Sequence, residues 1–243
     1  MKLLLTMRYE LLNEEYHLSF IERLLKIRNV ASDVDAFFQP AFSVSWLDPF
    51  LLHDMEKAVN HIIQAMKHHH KIMIFGDYDV DGVTSSYTLY KFFKYFLNYS
   101  NVSIMYPNRK EDGYGLKVKH LEEMKKKGVD LVITVDNGIT SIEEAFYAKT
   151  IGLDIIITDH HHPLNELPAA IAVINPNCSP NYPFKGLAGV GVAFKLLMAL
   201  LSKSTIDSKR KNQIFNFFLP IVTIGTVADV VPLLSENRFI VKR

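Results

Sequence analysis

The chain alternates between short, almost uninterrupted apolar runs and longer segments in which apolar residues recur every three or four positions. The short runs fit strands buried on both faces, and the longer segments fit amphipathic helices. The predicted strands lie near residues 72–75, 102–105, 131–135, 155–158 and 171–174. The predicted helices before and between them lie near residues 55–66, 83–96, 121–124 and 142–148. This alternation is typical of an α/β fold, a parallel, doubly wound sheet with helices on both faces.

Both ends of the chain depart from this alternation. Residues 1–53 begin with apolar positions at helical spacing and continue into a stretch rich in proline and aromatic residues, so we expect a helical cap there. Asp54 stands where it can N-cap the first helix of the alternating region. After Asn175 comes a loop rich in Pro, Asn and Gly, and helical spacing returns near residues 194–201 and 214–218. We therefore expect a mostly helical C-terminal part.

Composition narrows the class of protein. With 243 residues, 49% of them hydrophobic, the chain can bury a large core and is globular. The net charge of +1 provides no general basic surface, so any contact with nucleic acid has to be local. The single cysteine, Cys178, excludes an internal disulfide, and no apolar run reaches the roughly 18 residues of a membrane span. We expect a soluble, cytoplasmic protein without a membrane partner.

Carboxylates and imidazoles follow three of the predicted strands. They are Asp77, Asp79 and Asp81 after the first strand, Asp136 after the third, and Asp159, His160 and His161 after the fourth. Ligands of doubly wound sheets sit at the carboxyl ends of the strands, so we expect these side chains to meet in one crevice. The 23 positions from Asp136 to Asp159 match one helix-and-strand step, which predicts that the two strands are neighbours.

The gathering of so many acids predicts a metal site. Carboxylates within a few ångströms repel one another unless they are protonated or a cation neutralises them. Carboxylate and imidazole ligands without thiolate suit Mn²⁺ or Mg²⁺, and imidazole favours Mn²⁺. We expect two ions, because the acids and histidines exceed what a single site needs. A two-metal site activates a water and stabilises the oxygens of a phosphoryl group, so phosphate-ester hydrolysis is the expected reaction.

The same residues also have structural interpretations. A single Asp at a strand end, such as Asp136, is most often a helix N-cap, whereas the cluster as a whole favours chemistry. The three acids before Gly82 resemble a calcium loop, but Thr88 stands where that loop requires an acid. The histidines at residues 160–162 also fit a polar turn. The glycines of residues 186–191 are more typical of a tightly packed helix entry than of a nucleotide loop.

Four segments, in order along the chain, resemble the motifs of the DHH phosphoesterases, a family named for its Asp-His-His triplet. They are GDYDVDGVTS at residues 76–85, VDNG at residues 135–138, TDHH at residues 158–161 and GTVADVVPL at residues 225–233. The connecting sequence, including PNRKEDGYGL from Pro107, is similar to that of the RecJ-like exonucleases within this family. Manganese pyrophosphatases of the family place a histidine near the end of the first strand. Phe75 and Gly76 stand there, which disfavours that branch.

The resemblance implies a role for each candidate residue. The implied ligands of the two ions are Asp79, Asp81, Asp136, His160 and Asp229. His161 is implied to contact the phosphate or help to activate water, and Asp77 to ligate an ion or act beside the ligands. Asp159 is expected to orient an imidazole, as carboxylates beside metal-bound histidines commonly do. Asn108 and Arg109 lie in a glycine-containing loop that is implied to face the substrate, where Arg offers a forked donor for phosphate.

Three functions follow from these residues. The resemblance implies a metal-dependent exonuclease that degrades single-stranded DNA, or short oligonucleotides, from the 5′ end. A second hypothesis takes Asp79 as the nucleophile of a haloacid-dehalogenase-like phosphatase, but Gly76, Asp77 and Tyr78 separate it from the predicted strand and the DHH triplet stays unexplained. A third hypothesis is a catalytically weak fragment that binds metal or a protein partner.

The resemblance also divides the chain. Residues 1–53 are the expected cap, residues 54–234 the DHH catalytic domain, and residues 235–243 the beginning of a linking helix with Ser235 as its cap. In RecJ-like relatives that helix leads to a second, DHHA1-like domain that grips the substrate, and no corresponding glycine-rich motif occurs here. We expect a separate chain as a candidate source of that domain, and weak, poorly processive activity without it.

Overall fold

The computed structural model describes residues 15–28, 30, 34–39 and 46–243. In this part of the chain, one parallel sheet of five strands has the order β2-β1-β3-β4-β5. Its strands are β1 (Ile72–Gly76), β2 (Val102–Met105), β3 (Leu131–Val135), β4 (Asp154–Thr158) and β5 (Ala172–Ile174). Each agrees with its predicted strand to within one residue, and the predicted α/β class is confirmed.

Helices precede the sheet, connect its strands and form the C-terminal part. In the described residues they are α1 (Phe20–Ile27), α2 (Val34–Phe38), α3 (Met55–Lys67), α4 (Val80–Lys91), α5 (Val118–Lys126), α6 (Ile142–Thr150), α7 (Gly189–Lys203), α8 (Ser208–Ala228) and α9 (Ser235–Lys242). The last turn of α4 continues as a π-helical segment, Phe92–Phe96. The predicted mostly helical C-terminal part is confirmed by α7, α8 and α9.

Strands β1 and β3 are buried on both faces, which explains their nearly continuous apolar sequence. On β1, Ile72 and Ile74 pack into one core with α3, α4, α7 and α8. Met73 and Phe75 point to the other face and pack with side chains of α5 and α6. The alternation follows from the period of two along a strand, so a doubly wound sheet with helices on both faces results.

The order of the strands determines where a site can form. Strand β1 pairs in parallel with β2 on one side and with β3 on the other. The chain therefore winds in opposite directions from β1 and β3, and the crevice at their carboxyl ends is the switch point where doubly wound sheets bind ligands. Strand β3 also pairs with β4, which confirms that the strands before Asp136 and Asp159 are neighbours.

Helices α7 and α8 are longer than the predicted segments. Of the 15 residues of α7, 12 are buried, so the helix has no polar face and little helical periodicity in its sequence. Helix α8 begins earlier because Asp207 caps it, its Oδ1 accepting from the backbone N–H of Arg210 at 2.9 Å.

Two predicted helix caps are wrong in detail. Asp54 occupies the N-cap position of α3, but its carboxylate makes no capping bond and instead accepts from the N–H of Val173 on β5 at 3.1 Å. Ser235 is the first residue of α9, and Leu234 takes the cap position. For Asp54, a bond to a segment 119 positions away replaces the capping bond, which a local sequence pattern does not reveal.

A buried ion pair joins α9 to the core. The side chains of Lys195 on α7 and Glu236 on α9 contact each other, and both are 0% exposed. Lys195 also donates to the carbonyl of Leu47, and Glu236 accepts from the Leu47 N–H at 2.9 Å. The ring of Trp46 beside them lies 5.5 Å from that of Phe194. These contacts fix α9 and the segment before α3 to the same helix.

No helix in the described ranges has the length and apolar character needed to cross a membrane.

Candidate metal centre

The first group of acids lies between β1 and α4. Asp79 is the N-cap of α4, and its Oδ1 accepts from the N–H of Gly82 at 2.9 Å. Asp81, in the first turn, is 1% exposed, and Asp77 is 3% exposed. Gly82 has to lack a side chain because a Cβ there would lie 2.4 Å from the carbonyl oxygen of Asp77. The tight turn therefore directs three carboxylates from one short segment into the crevice.

The second group follows β3. Asp136 has a φ of 60°, a left-handed conformation that Asp and Asn tolerate better than most residues. Its neighbour Asn137 is fully buried and donates to the carbonyls of Val135 at 2.9 Å and Phe75 at 3.3 Å. Asn137 thus ties the ends of β3 and β1 together, and this fixes the position of Asp136 relative to the first group.

The third group follows β4. Asp159 is 1% exposed, and its Oδ1 lies 2.8 Å from Nδ1 of His161 and accepts from the N–H of His160 at 2.7 Å. Its Oδ2 accepts from the N–H of Ile139 at 2.9 Å. Burial opposes the charged form, but the hydrogen bonds from His161 and the backbone keep the pKa of Asp159 below its usual value. Asp159 therefore orients the imidazole of His161, whereas it contacts His160, the predicted metal-bound histidine, through the backbone N–H.

His160 stands between the groups. Its Nε2 lies 3.1 Å from Asp136 Oδ1 and 3.8 Å from Asp81 Oδ2, and its Nδ1 lies 3.7 Å from Asp229 Oδ2. Asp229 reaches the site from the C-cap position of α8. Four segments far apart in sequence thus converge on one imidazole.

Two adjoining sets of side chains have the spacing of metal ligands. In one set, Asp77, Asp79 and Asp136 each offer an oxygen, and these atoms lie within 4.8 Å of one another. In the other set, ligand atoms of Asp81, His160 and Asp229 satisfy the same limit. A further group joins Asp136 and His160 to Asp159 and His161, but the oxygens of Asp159 already accept hydrogen bonds.

The donor atoms themselves fit a cation. Four buried site atoms make no hydrogen bond within the described part of the protein: Asp77 Oδ1, Asp136 Oδ1, His160 Nε2 and Asp229 Oδ2. Asp136 Oδ1 and His160 Nε2 lie 3.1 Å apart, but their geometry is not that of a hydrogen bond. A buried polar atom without a partner is costly, so these atoms need a ligand that the protein does not supply. Burial and the neighbouring carboxylates raise the pKa of Asp81 to about 8 and the pKa of Asp136 to about 9. A divalent ion relieves both costs.

The N-terminus of α7 supports the centre. The N–H groups of Gly189 and Val190 donate to the two carboxylate oxygens of Asp81 at 2.6 and 2.8 Å. A Cβ on Gly189 would lie 2.6 Å from Oδ1 of Asp136, so only glycine fits between α7 and that carboxylate. The predicted tight helix entry is confirmed, but its bonds to a candidate ligand were not predicted.

Sequence reasoning missed three further residues around the site. Tyr114 donates to the carbonyl of Asp136 at 3.0 Å and lies 3.3 Å from Nδ1 of His161. The side-chain amides of Asn175 and Asn177 donate to the carbonyls of His161 at 2.9 Å and His160 at 2.8 Å. The sequence contained one signal, since both asparagines belong to the INPN segment directly after β5.

The two predicted substrate-binding residues lie at the rim. Asn108 and Arg109 are both exposed. The guanidinium of Arg109 lies 5.3 Å from the centre of the Tyr78 ring, close to the first group of acids. Asn108 uses its Oδ1 to accept from the N–H of Lys110 at 3.1 Å, which shapes the turn. The structure thus brings Arg109 beside the acids and gives Asn108 a local role.

We expect the thermal stabilisation of the protein by Mn²⁺ to increase between about pH 6 and about pH 8. Because Asp81 and Asp136 have raised pKa values, the ion-free protein is stabilised by their protonated forms, and this contribution is lost as pH rises through about 8 to 9. Protons also compete with the ion less at higher pH. Melting temperatures with Mn²⁺ and with chelator at each pH measure the difference. A difference independent of pH would contradict the assignment of these carboxylates.

The fold and the site together define the class of protein. It is an α/β protein with a doubly wound sheet, and its carboxylates and histidine form a site for divalent metals at the switch point of the sheet. Comparison with known proteins defines the family. The DHH family, N-terminal domain, matches residues 71–226, and the chain belongs to this family.

The sequences of individual relatives support the assignment to this family. The single-stranded-DNA-specific exonuclease RecJ of Bacillus subtilis (strain 168) is 40% identical over 238 residues, which cover 94% of this chain and 28% of the relative. RecJ of Haemophilus influenzae is 42% identical over 200 residues, covering 81% of this chain and 35% of the relative. The chain therefore spans about a third of the length of these relatives or less.

Solved structures agree as well. A crystal structure described as exonuclease RecJ bound to manganese superposes with a TM-score of 0.69 at 32% identity, covering 78% of this chain and 46% of that one. RecJ of Thermus thermophilus in complex with Mn²⁺ superposes with a TM-score of 0.70 at 27% identity, covering 89% of this chain and 29% of that one.

Proposed function

We propose that this chain forms the catalytic core of a metal-dependent phosphodiesterase, a RecJ-like exonuclease that degrades single-stranded DNA from the 5′ end. The observation that carries the proposal is the pair of adjoining ligand sets, in which four buried donor atoms make no hydrogen bond to any residue that the structure describes. The relatives named as single-stranded-DNA-specific exonucleases support the substrate class.

We propose two Mn²⁺ ions as the cofactor. The proposed ligands are Asp79, Asp81, Asp136, His160 and Asp229. Asp77 is the proposed additional contact, because its buried Oδ1 lies beside Asp79 and Asp136 and accepts no hydrogen bond from the described residues. When bound, such ions lower the pKa of a water and neutralise charge on the phosphoryl oxygens. The manganese-bound RecJ structures support the choice of metal.

His161 is the proposed contact with the scissile phosphate. Its hydrogen bond to Asp159 raises the pKa of His161 to about 9, so the imidazole is a cation at neutral pH in the ion-free protein. Since Nδ1 faces Asp159, Nε2 is the nitrogen that can donate to a phosphate oxygen. The side chain of His161 is 45% exposed, which supports access by a substrate.

The substrate strand is proposed to pass the rim formed by Asn108 and Arg109. Arg109 carries the forked donor that suits phosphate, and its cation–π contact with the Tyr78 ring places the guanidinium near the acids. Single-stranded DNA or short oligonucleotides are the proposed partners. The rest of the substrate groove is proposed to come from a DHHA1-like domain beyond α9 or from a separate chain. The proposed catalytic domain is residues 54–234. The proposed location of the protein is the cytoplasm.

The phosphatase alternative is not favoured. Its nucleophile would follow a buried strand directly, whereas β1 ends at Gly76 and Asp79 caps α4.

An assay with oligonucleotides labelled at either end tests the proposed function. We expect Mn²⁺-dependent release of nucleotides from single-stranded DNA, beginning at the 5′ end, with little release from blunt duplexes. The 243-residue chain should dissociate after few cycles, because a net charge of +1 provides little basic surface to hold single-stranded DNA. Equal digestion of duplex DNA, release that begins at the 3′ end, or full activity in chelator would contradict the proposal.

A further inference from the structure

The loop between β2 and α5, residues 106–117, lies against the candidate metal centre. It touches the centre through Tyr114, whose hydroxyl donates to the carbonyl of Asp136 at 3.0 Å. It also carries Arg109, whose guanidinium lies 5.3 Å from the centre of the Tyr78 ring. The position of this loop therefore determines where a phosphate held by Arg109 lies relative to the ligand sets.

A buried Asp–His pair holds the loop together. The side chains of Asp112 in the loop and His120 in α5 are only 7% and 6% exposed, and Asp112 Oδ2 lies 2.9 Å from His120 Nε2. The same oxygen accepts from the N–H of Asn108 at 2.7 Å. His120 Nδ1 accepts from the N–H of Lys117 at 3.1 Å. Because Nδ1 accepts, the proton is on Nε2, and the imidazole donates to the Asp112 carboxylate.

The pair also contacts β1, the strand that precedes the first group of acids. The His120 ring lies 5.1 Å from the ring of Phe75, with the planes tilted by 38°. Phe75 is fully buried and precedes Gly76 and Asp77. A continuous series of contacts thus runs from the end of β1 through His120 and Asp112 to the backbone of Asn108.

We propose that Asp112 and His120 are positioning residues. They hold Asn108 and Arg109 in the position, relative to the ligand sets, that is required to bind the substrate phosphate. Neither belongs to the two ligand sets, so they act through the loop and not on the ions. This inference rests on the proposed nuclease function. It adds a distinct determinant of substrate affinity, since a loop that moves by about an ångström misplaces the guanidinium.

The test compares His120→Leu with His120→Gln. Leucine removes both hydrogen bonds, whereas the glutamine amide can place a donor near the position of Nε2 and restore the bond to Asp112. We expect His120→Leu to raise KM for a single-stranded oligonucleotide about tenfold while kcat changes less than about threefold, because the lost contact binds substrate and transition state alike. His120→Gln should recover most of the affinity. Asp112→Ala removes the oxygen that accepts both the His120 and the Asn108 bonds, and it should raise KM in the same direction.

Lys119→Ala is the matched control. Its ammonium also contacts Asp112, but its side chain is 56% exposed and reaches the carboxylate from solvent. We expect a change in KM of less than about twofold, as for most exposed ion pairs. The rise in melting temperature produced by Mn²⁺ should be the same in all four variants as in the wild type.

Amide hydrogen exchange over residues 108–117 measures the position of the loop without relying on activity. We expect faster exchange in His120→Leu and Asp112→Ala, and protection close to that of the wild type in His120→Gln and Lys119→Ala. Unchanged exchange in the first two variants, or an unchanged KM, would overturn the inference. Absence of any DNA hydrolysis by the wild type would contradict the proposed function instead, and the exchange experiment would still decide whether the pair holds the loop.

Discussion

Replacing Asp136 with Asn is expected to lower Mn²⁺-dependent hydrolysis of single-stranded DNA by about 10³-fold or more. Asp136 belongs to the first ligand set, and its buried Oδ1 lies 3.1 Å from His160 Nε2 of the second. An amide at this position has the same volume but no negative charge, and it turns either an oxygen or an NH₂ group toward the cation. The variant should also lose most of the stabilisation by Mn²⁺, measured as the shift in melting temperature.

The fold of Asp136→Asn is expected to survive. Asn tolerates the left-handed φ of 60° found at this position, and the Tyr114 bond goes to the backbone carbonyl, which remains. In chelator the variant should melt at or above the wild-type temperature at pH 8, because a buried carboxylate with a raised pKa is removed. Asp154→Asn, at the opposite end of the sheet, is the control and should keep activity within about twofold. Wild-type activity in Asp136→Asn would exclude the proposed centre.

Much of the fold was predictable because its information is local. Strands buried on both faces have continuous apolar runs, so Leu131–Val135 was predicted with its observed bounds. The partly buried edge strand Val102–Met105 was also predicted with its observed bounds. The assembly of the acids was predictable for a related reason. Once a parallel sheet is inferred, the residues after β1, β3 and β4 have to share one edge. His160 reaches the centre as this geometry predicts.

The remaining features depend on contacts between segments far apart in sequence. Asp54 was predicted to cap α3 because capping is a local rule, yet its carboxylate bonds to Val173, 119 positions later. The bonds from the α7 amides to Asp81 span 108 and 109 positions and involve main-chain atoms, which carry no residue-specific signal. Tyr114 was missed for a similar reason, since its hydroxyl donates to the main-chain carbonyl of Asp136, 22 positions later.

The contact between α7 and the ligand sets leads to the second large prediction. Gly189→Ala is expected to lower Mn²⁺-dependent hydrolysis by about 10²-fold or more and to weaken the stabilisation by Mn²⁺. The added Cβ would lie 2.6 Å from both Cβ and Oδ1 of Asp136, so the carboxylate or the start of α7 has to move. Movement of α7 also loosens the N–H bonds from Gly189 and Val190 to Asp81. One methyl group thus disturbs a ligand in each set.

Gly191→Ala, two residues further along α7, is the matched control for this substitution. A Cβ there would lie 3.2 Å from the Leu187 side chain, whose terminal atoms can shift by a few tenths of an ångström. Alanine also favours the helix over glycine by about 1 kcal/mol, so the control should melt at or above the wild-type temperature and keep its activity. Melting in chelator separates a local effect from unfolding, since Gly189→Ala should still unfold in one cooperative transition. Equal activity of the two variants would show that the centre does not depend on the close approach of α7, and the ligand sets would then be able to adjust independently of that helix.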